Sequence, residues 1–338
     1  MKNLGLLLAF LCLFGSCKRI ELYDYNRLVR LDLCVDMSLE VMPDTGLFSK
    51  DADFDYWWQG RMPYHAEVLL YHPQTGKVIS SQILPAQGGV LRVPDGDFDL
   101  VVYSLGTEWT QMQALSHKTQ AEALTSEVTL LYADLFKTVV CNDSAKSNEN
   151  MDYSYEQDPI VYSPDHVYVS ANKQLHLPAD LEQEALRLSD TIKTIVQVYS
   201  LEVLGVQGIE YVRQVDAFIT GQVRSCYFAQ PALSSDPATL YVRMKADVEH
   251  EKLYTLFGTF GKLPGAENKV YLDIILTDAG GECHRYVYDV TDQFDDENND
   301  HNRLVISDSI VVPPSSFTGG PFDSAIEVWD GDTVKIVI

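Results

Sequence analysis

Basic residues are scarce in this chain of 338 residues. Lysine and arginine together number 25, aspartate and glutamate number 49, and the formal net charge is −24. A field of this sign repels nucleic-acid phosphates and anionic lipid headgroups. The composition therefore argues against a nucleic-acid partner and against membrane attachment by charge.

Long hydrophobic runs are also lacking. The longest, Leu4–Phe14, has 11 residues, whereas a membrane-spanning helix needs about 20. Lys2 precedes this run, and Gly15-Ser16 follow it directly before Cys17, which is the pattern of a secretory leader. We predict a signal peptide over residues 1–16 and a lipoprotein that is acylated on Cys17. An ordinary cleaved leader is the alternative.

Catalytic motifs are absent as well. The sequence contains no Gly-x-Ser-x-Gly, no His-Glu-x-x-His and no phosphate-binding loop. Its eight histidines stand singly, and acidic residues are so numerous that a glycosidase-like pair cannot be inferred from spacing. We therefore expect neither an enzyme nor a cofactor.

Cysteines are few and widely spaced. Cys12 leaves with the leader and Cys17 takes the lipid, so four thiols remain. Their order allows one bridge in each half of an exported chain, but their wide spacing and the lack of any Cys-x-x-Cys pair favour free thiols. The two possible bridges are Cys34 with Cys141 and Cys226 with Cys283.

Short strands are what the chain does contain. Apolar and polar residues alternate from Val29 to Ser38, which is the period of a half-buried strand. Similar runs recur, separated by turns such as Pro94–Asp97 and Asp278–Gly281. Many short strands with few helices predict an all-β protein of two consecutive β-sandwiches, over residues 29–178 and 190–338.

Two stretches are less regular than the rest, and a third is a longer run than its neighbours. Residues 109–124 have a weak helical spacing, and residues 178–189 fit a linker or a helical turn between the domains. The β-branched run at 192–204 predicts one strand.

Two clusters suggest ligands. Carboxylates crowd one loop, and hard oxygen ligands of this kind hold calcium, although the loop lacks the order of an EF-hand and a solvated acidic loop is the simpler interpretation. These weak calcium candidates are Asp292, Asp295, Asp296 and Asp300. The second cluster is aromatic and could stack on sugar rings or anchor a protein, unless it folds back over the first sandwich. It comprises Tyr56, Trp57, Trp58 and Tyr64.

The start of the mature chain resembles the fimbrillin-like lipoproteins of Gram-negative anaerobes. The resemblance rests on Cys17–Tyr23 (Cys-Lys-Arg-Ile-Glu-Leu-Tyr), on the strand end Val35–Ser38, and on the Pro-Asp-Gly-Asp-Phe turn before Leu100–Tyr103. Met37 stands where the group tends to have tryptophan. The resemblance implies two transthyretin-like sandwiches in a pilus subunit, an accessory subunit or an adhesin. Such subunits join by adding a strand to a neighbour's sheet.

The same resemblance points to two segments used in assembly. Polymerising members are cleaved after an arginine near the N-terminus, and Arg27 and Arg30 lie in that region, although exposed arginines are common in secreted proteins. The C-terminal apolar face of Val334, Ile336 and Ile338 could be donated to a neighbouring subunit, whereas closing its own sandwich is the default.

The sequence thus predicts a non-enzymatic, lipid-anchored, fimbrillin-like protein of the cell envelope, held at the outer membrane by Cys17 and the tether 17–28. Its partners would be the membrane, through acylated Cys17, and either other pilus subunits or a host or glycan ligand, with no nucleic acid. The alternative is a surface lipoprotein that captures carbohydrate through the aromatic cluster. Only Lys18-Arg19 follow Cys17, with no acidic export run, so the surface and periplasmic faces both stay open.

Overall fold

The protein is almost entirely β-structure. A computed structural model describes residues 27–37, 62–129, 158–177, 186–230, 232–265, 267–296 and 302–314. The strands of the first half are β1 (Arg27–Asp36), β2 (His65–Tyr71), β3 (Val78–Pro85), β4 (Gly88–Val93), β5 (Gly96–Ser104), β6 (Thr110–Gln113), β7 (Glu122–Thr125), β8 (Ile160–Tyr162), β9 (Tyr168–Leu177) and β10 (Leu186–Thr194).

The second half continues in the same manner. Its strands are β11 (Gln197–Leu204), β12 (Val212–Val223), β13 (Ser225–Tyr227), β14 (Ala232–Leu233), β15 (Pro237–Asp247), β16 (Lys252–Thr259), β17 (Tyr271–Asp278), β18 (Cys283–Asp289) and β19 (Arg303–Ser307). A five-residue helix, α1 (Thr291–Asp295), links β18 to β19. Across the described ranges, no helix is long and apolar enough to cross a membrane.

Two curled sheets form two β-sandwiches whose strand orders are related but not identical. The strand orders are β3-β2-β5-β9-β10-β1-β4 and β18-β17-β12-β15-β16-β11-β19. In each sandwich the first strand lies between an antiparallel strand and the last strand, which runs parallel to it. The prediction of an all-β protein with two sandwiches is therefore confirmed, whereas the likeness to transthyretin stays a prediction.

The strands that enclose each core follow the alternation in the sequence. In β1 the side chains of Val29 and Leu31 are fully buried, while Leu28 and Arg30, which alternate with them, are exposed. The central strand β5 differs because both of its faces are covered. Leu100 faces the core of the first sandwich, and Val101 faces a second cluster that is shared with the other half.

A small third sheet joins the two sandwiches. Its order is β14-β13-β7-β6, so it takes two strands from each half, and β8 adds in parallel to β15 of the second sandwich. The shared cluster beneath it includes Tyr103 and Phe228, whose rings meet edge to face at 5.5 Å. Continuous pairing and a common apolar cluster make the two halves one packed body.

The predicted boundary and two local predictions differ from the structure. Residues 109–124 form β6, a short 3₁₀ turn and most of β7 instead of a helix. The run at 192–204 is divided at Ile195–Val196, where the chain passes from one sandwich to the other. Residues 186–189 belong to β10, so strand pairing extends the first sandwich beyond the predicted linker at 178–189.

Glutamine side chains form hydrogen bonds with the free backbone edge of two end strands, β4 and β19. Gln82 on β3 donates from Nε2 to the carbonyl oxygen of Arg92 on β4 and accepts the Arg92 N–H at Oε1, both at 2.9 Å. Gln293 on α1 makes the same pair with Val305 on β19, at 3.2 and 2.8 Å. Each amide occupies the backbone groups that an added strand would use, which blocks pairing at that point of the edge.

Candidate functional site

Strand β1 is the element through which the predicted lipid tether would join the fold. It pairs in parallel with β10 from Val29 opposite Leu186 to Asp36 opposite Lys193. Its other edge pairs with β4 from Arg27 opposite Val93 to Asp32 opposite Gly88. Because ladders hold both edges and the inward side chains are buried, β1 is an integral strand of the first sandwich.

Gly88 allows β4 to approach β1 closely. Its φ is +98°, and a Cβ at this position would lie 1.9 Å from the carbonyl oxygen of Leu31. The neighbouring Gln87 carbonyl accepts the Leu33 N–H at 3.0 Å. Only glycine combines this backbone conformation with so close a contact.

Ion pairs connect the first residue of β1 and its solvent-facing side to neighbouring parts of the first sandwich. Arg27 Nε lies 2.6 Å from Asp95 Oδ1 in the β4–β5 turn. Asp32 accepts from Arg187 at 2.5 Å and from Arg30 at 3.1 Å. These two guanidinium groups, Arg187 first, hold the pKa of Asp32 below its usual value.

The two predicted processing residues, Arg27 and Arg30, both lie within β1. The backbone at Arg30 is paired on both sides, opposite Arg187 and Val90. A protease must bind its substrate in an extended form that is free of other partners, so cleavage here requires β1 to leave the sheet first. Processing after either arginine stays a prediction.

The predicted calcium residues do not meet in the described part of the chain. Asp295 at the end of α1 accepts the Lys262 ammonium at 2.6 and 2.8 Å. Asp292 and Asp296 are exposed, and Asp300 lies outside the described residues. The ammonium of Lys262 already occupies the Asp295 carboxylate that calcium would need.

A closer group of possible metal ligands was not singled out from the sequence. Ligand atoms of Asp278, Glu282 and His284 lie within 4.8 Å of one another at the β17–β18 hairpin. Asp278 Oδ1 accepts the backbone N–H groups of Gly280 and Glu282 at 2.8 and 2.9 Å, and the Glu282 amide is the main cause of a lowered pKa at Asp278. This carboxylate holds the turn, which is a structural role.

The cysteines of the described residues are free thiols. Cys34 is exposed, Cys226 is buried and Cys283 is half-buried, so the bridge between Cys226 and Cys283 is not formed. Burial raises the pKa of Cys226 to about 12, which keeps it an inert thiol. Cys141 lies outside the described residues.

The other predicted site residues fall mainly outside the described ranges. Of the aromatic cluster only Tyr64 is described, and its side chain is 85% exposed just before β2. The residues outside are Cys17, Tyr56, Trp57, Trp58, Val334, Ile336 and Ile338. Their predicted roles in acylation, ligand binding and strand donation stay predictions.

Two sandwiches in one packed body, with the N-terminal strand paired on both edges, define an all-β two-domain protein. The chain belongs to the family described as a domain of unknown function, DUF5119, whose model matches residues 47–243. A protein of Bacteroides ovatus described as a fimbrium anchoring subunit, Fim4B, is 27% identical over 228 residues. That match covers 64% of this chain and 59% of the relative's length.

A solved structure has the same fold. It is a protein of Bacteroides ovatus described as an adhesin, with 20% sequence identity and a TM-score of 0.57. The match covers 88% of this chain and 97% of that one. The family match and the fimbrial relative confirm the resemblance to fimbrillin-like proteins that the sequence predicted, and the solved structure shows the shared fold.

Proposed function

We propose that this protein anchors a fimbrium to the cell envelope, without catalytic activity. The observation that carries the proposal is the state of β1, which pairs on both edges and buries Val29 and Leu31 completely. A subunit that polymerises by strand exchange must first lose this strand to open a groove, whereas an anchor that is tethered through β1 must keep it in its own sandwich. The relative described as a fimbrium anchoring subunit supports the same role.

The load would pass from the fimbrium to the membrane through this strand. The tether that begins at Cys17 enters the fold at Arg27, at the end of β1. A pull along the strand acts on two ladders together, and the Arg27–Asp95 pair fixes the point of entry. Acyl chains on Cys17 would hold the other end of the tether at the outer membrane, because several chains bind a bilayer stably.

Replacing Cys17 tests the proposal in the native cell. With Cys17→Ser the protein loses its acylation site, so we expect fimbriae to appear in the culture medium instead of on the cells. The measurement is the amount of fimbrial subunit in the medium and in the cell pellet. The matched control is Cys34→Ser, since Cys34 is an exposed thiol that no role requires. Fimbriae that stay cell-bound with Cys17→Ser would contradict anchoring.

A further inference from the structure

The outward face of β4, β1 and β10 carries a charge opposite in sign to that of the whole protein. Its basic side chains are Arg30, Arg92, Arg187 and Lys193, and its acidic ones are Asp32 and Asp36. Among the described residues of this face the sum is 4 − 2 = +2, in a chain whose formal net charge is −24. Folding therefore places a basic surface on one side of the first sandwich, although the chain as a whole is acidic.

The basic side chains of this outer face project into solvent. The side chains of Arg187 and Lys193 are each 71% exposed, and that of Arg30 is 60% exposed. Arg30 and Arg187 share Asp32, and Lys193 lies 3.8 Å from Asp36. Two acids are thus divided among four cations, which leaves an excess of positive charge available to an anionic partner.

Two aliphatic side chains stand on the same face next to the arginines. Leu28 is 50% exposed and Val90 is 55% exposed. Leu28 lies opposite Arg92 and Val90 lies opposite Arg30 in the β1–β4 ladder, so the two are diagonal neighbours. Such a mixture suits the interfacial region of a bilayer. There the arginines can contact lipid headgroups while the aliphatic side chains contact the upper part of the acyl chains.

The tether limits how far this face can be from the membrane. Nine residues separate Cys17 from Arg27, and even a fully extended segment of this length spans only about 35 Å. Leu28 lies at the end of β1 where the tether enters. If Cys17 is acylated, as the proposed function requires, the tether keeps the Arg27 end of β1, and with it this part of the outer face, within that distance of the lipid.

The large negative charge elsewhere does not cancel this attraction. Acidic side chains on the far side of the sandwich are separated from the outer face by two sheets that pack about 10 Å apart. Those acids face the solution, where physiological salt screens the field of an exposed charge over a Debye length of about 8 Å. A membrane in contact with the outer face therefore senses the local excess of positive charge more strongly than the distant acids.

We propose that the outer face docks on a bilayer that carries anionic phospholipid headgroups. The acyl chains supply attachment, and the face orients the protein. Docking in this way holds β1 along the membrane and turns the opposite side of the first sandwich, with the second sandwich packed on it, away from the lipid. This inference rests on the proposed anchoring function but involves different residues.

The test uses residues 18–338 without acylation, so its outcome does not depend on Cys17. We expect this chain to cosediment with vesicles of phosphatidylcholine and phosphatidylglycerol, and to be released by high salt. Arg92→Gln with Arg187→Gln should weaken binding about tenfold, because each basic residue near an anionic surface contributes to attraction. Leu28→Thr with Val90→Thr should also weaken it. Circular dichroism checks that all variants are folded.

The matched control removes the same charge elsewhere. Lys77 and Arg213 are exposed and lie outside the outer face, so Lys77→Gln with Arg213→Gln should bind as the unmodified chain does. Equal loss in the control, or equal binding to pure phosphatidylcholine, would overturn the proposal. Sedimentation velocity gives a further test. If the unmodified chain is a dimer and only the outer-face variants are monomers, a second copy covers this face and the proposal is wrong.

Discussion

Replacing Gly88 by alanine is expected to lower the free energy of unfolding by about 3 kcal/mol or more. The new Cβ would lie 1.9 Å from the Leu31 carbonyl oxygen and 2.9 Å from the Leu33 nitrogen. Both are backbone atoms of β1, so no side chain can turn aside to make room. Strand β4 must move away from β1, which weakens the ladder and opens the core beneath Leu31.

Gly106 offers a matched control for this substitution. Its φ of +100° is almost that of Gly88, but a Cβ there would meet nothing within 4 Å. Gly106→Ala therefore introduces the conformational strain alone, about 1–2 kcal/mol. The free energy of unfolding of both variants is measured with urea. The difference between their losses gives the cost of the close contact between the new Cβ and β1. Equal losses would show that the close approach of β4 and β1 contributes nothing to stability.

Replacing Arg285 by leucine should have an equally large effect, in the second sandwich. Arg285 on β18 donates to both oxygens of Asp273 on β17, at 2.6 to 3.0 Å, and the Asp273 side chain is fully buried. Removing the arginine leaves a buried carboxylate without its cation. Breaking a buried pair in this way costs about 3–5 kcal/mol.

The loss should depend on pH in a defined direction. Burial raises the pKa of Asp273, and Arg285 opposes that rise. Without Arg285 the folded-state pKa rises further, so the folded variant takes up a proton at a pH where the unfolded chain is still ionised. The destabilisation is then largest above the folded-state pKa and shrinks as the pH falls through it, because the protonated carboxyl no longer needs a cation.

Two further variants complete this experiment. Asp273→Leu in the Arg285→Leu background should recover much of the stability, because the unpaired charge is gone. Lys269→Leu is the matched control, since Lys269 and Asp289 form an exposed pair beside the same strands, and its loss should cost about 1 kcal/mol or less. A pH-independent loss with Arg285→Leu would contradict the assigned role of Asp273.

Local patterns in the sequence predicted individual strands well and their partners poorly. The alternation from Val29 to Ser38 predicted β1 and its buried face, because burial on one side imposes a period of two. Nothing in that pattern shows that β1 runs parallel to β10, a strand more than 150 residues later. Such pairing depends on the packing of all strands of the sandwich, so it cannot be predicted from one short segment.

Two-sided burial and strand breaks were also beyond local patterns. In β5 every residue from Phe98 to Ser104 is buried, the polar Asp99 and Ser104 included, because one face meets the first core and the other meets the shared cluster. The β-branched run at 192–204 contains no glycine or proline, so it carries no signal that the chain changes sandwiches at Ile195–Val196. Tertiary packing determined both features.

Composition predicted charge as an average and missed its distribution. The net charge of −24 argued against electrostatic attraction to membranes, yet folding collects Arg30, Arg92, Arg187 and Lys193 on one face. These residues are separated in sequence by up to 163 positions, as the numbers 193 and 30 show. Only the pairing of β4, β1 and β10 brings them together.

The central claim is that the protein remains tethered through an intact β1, and the mass of the mature chain tests it most directly. Protein extracted by detergent from its native membrane is measured intact and after digestion. The account predicts a chain that begins at an acylated Cys17 and retains the segment through Arg30. A mature chain that begins at Leu28 or Leu31, without lipid, would contradict it.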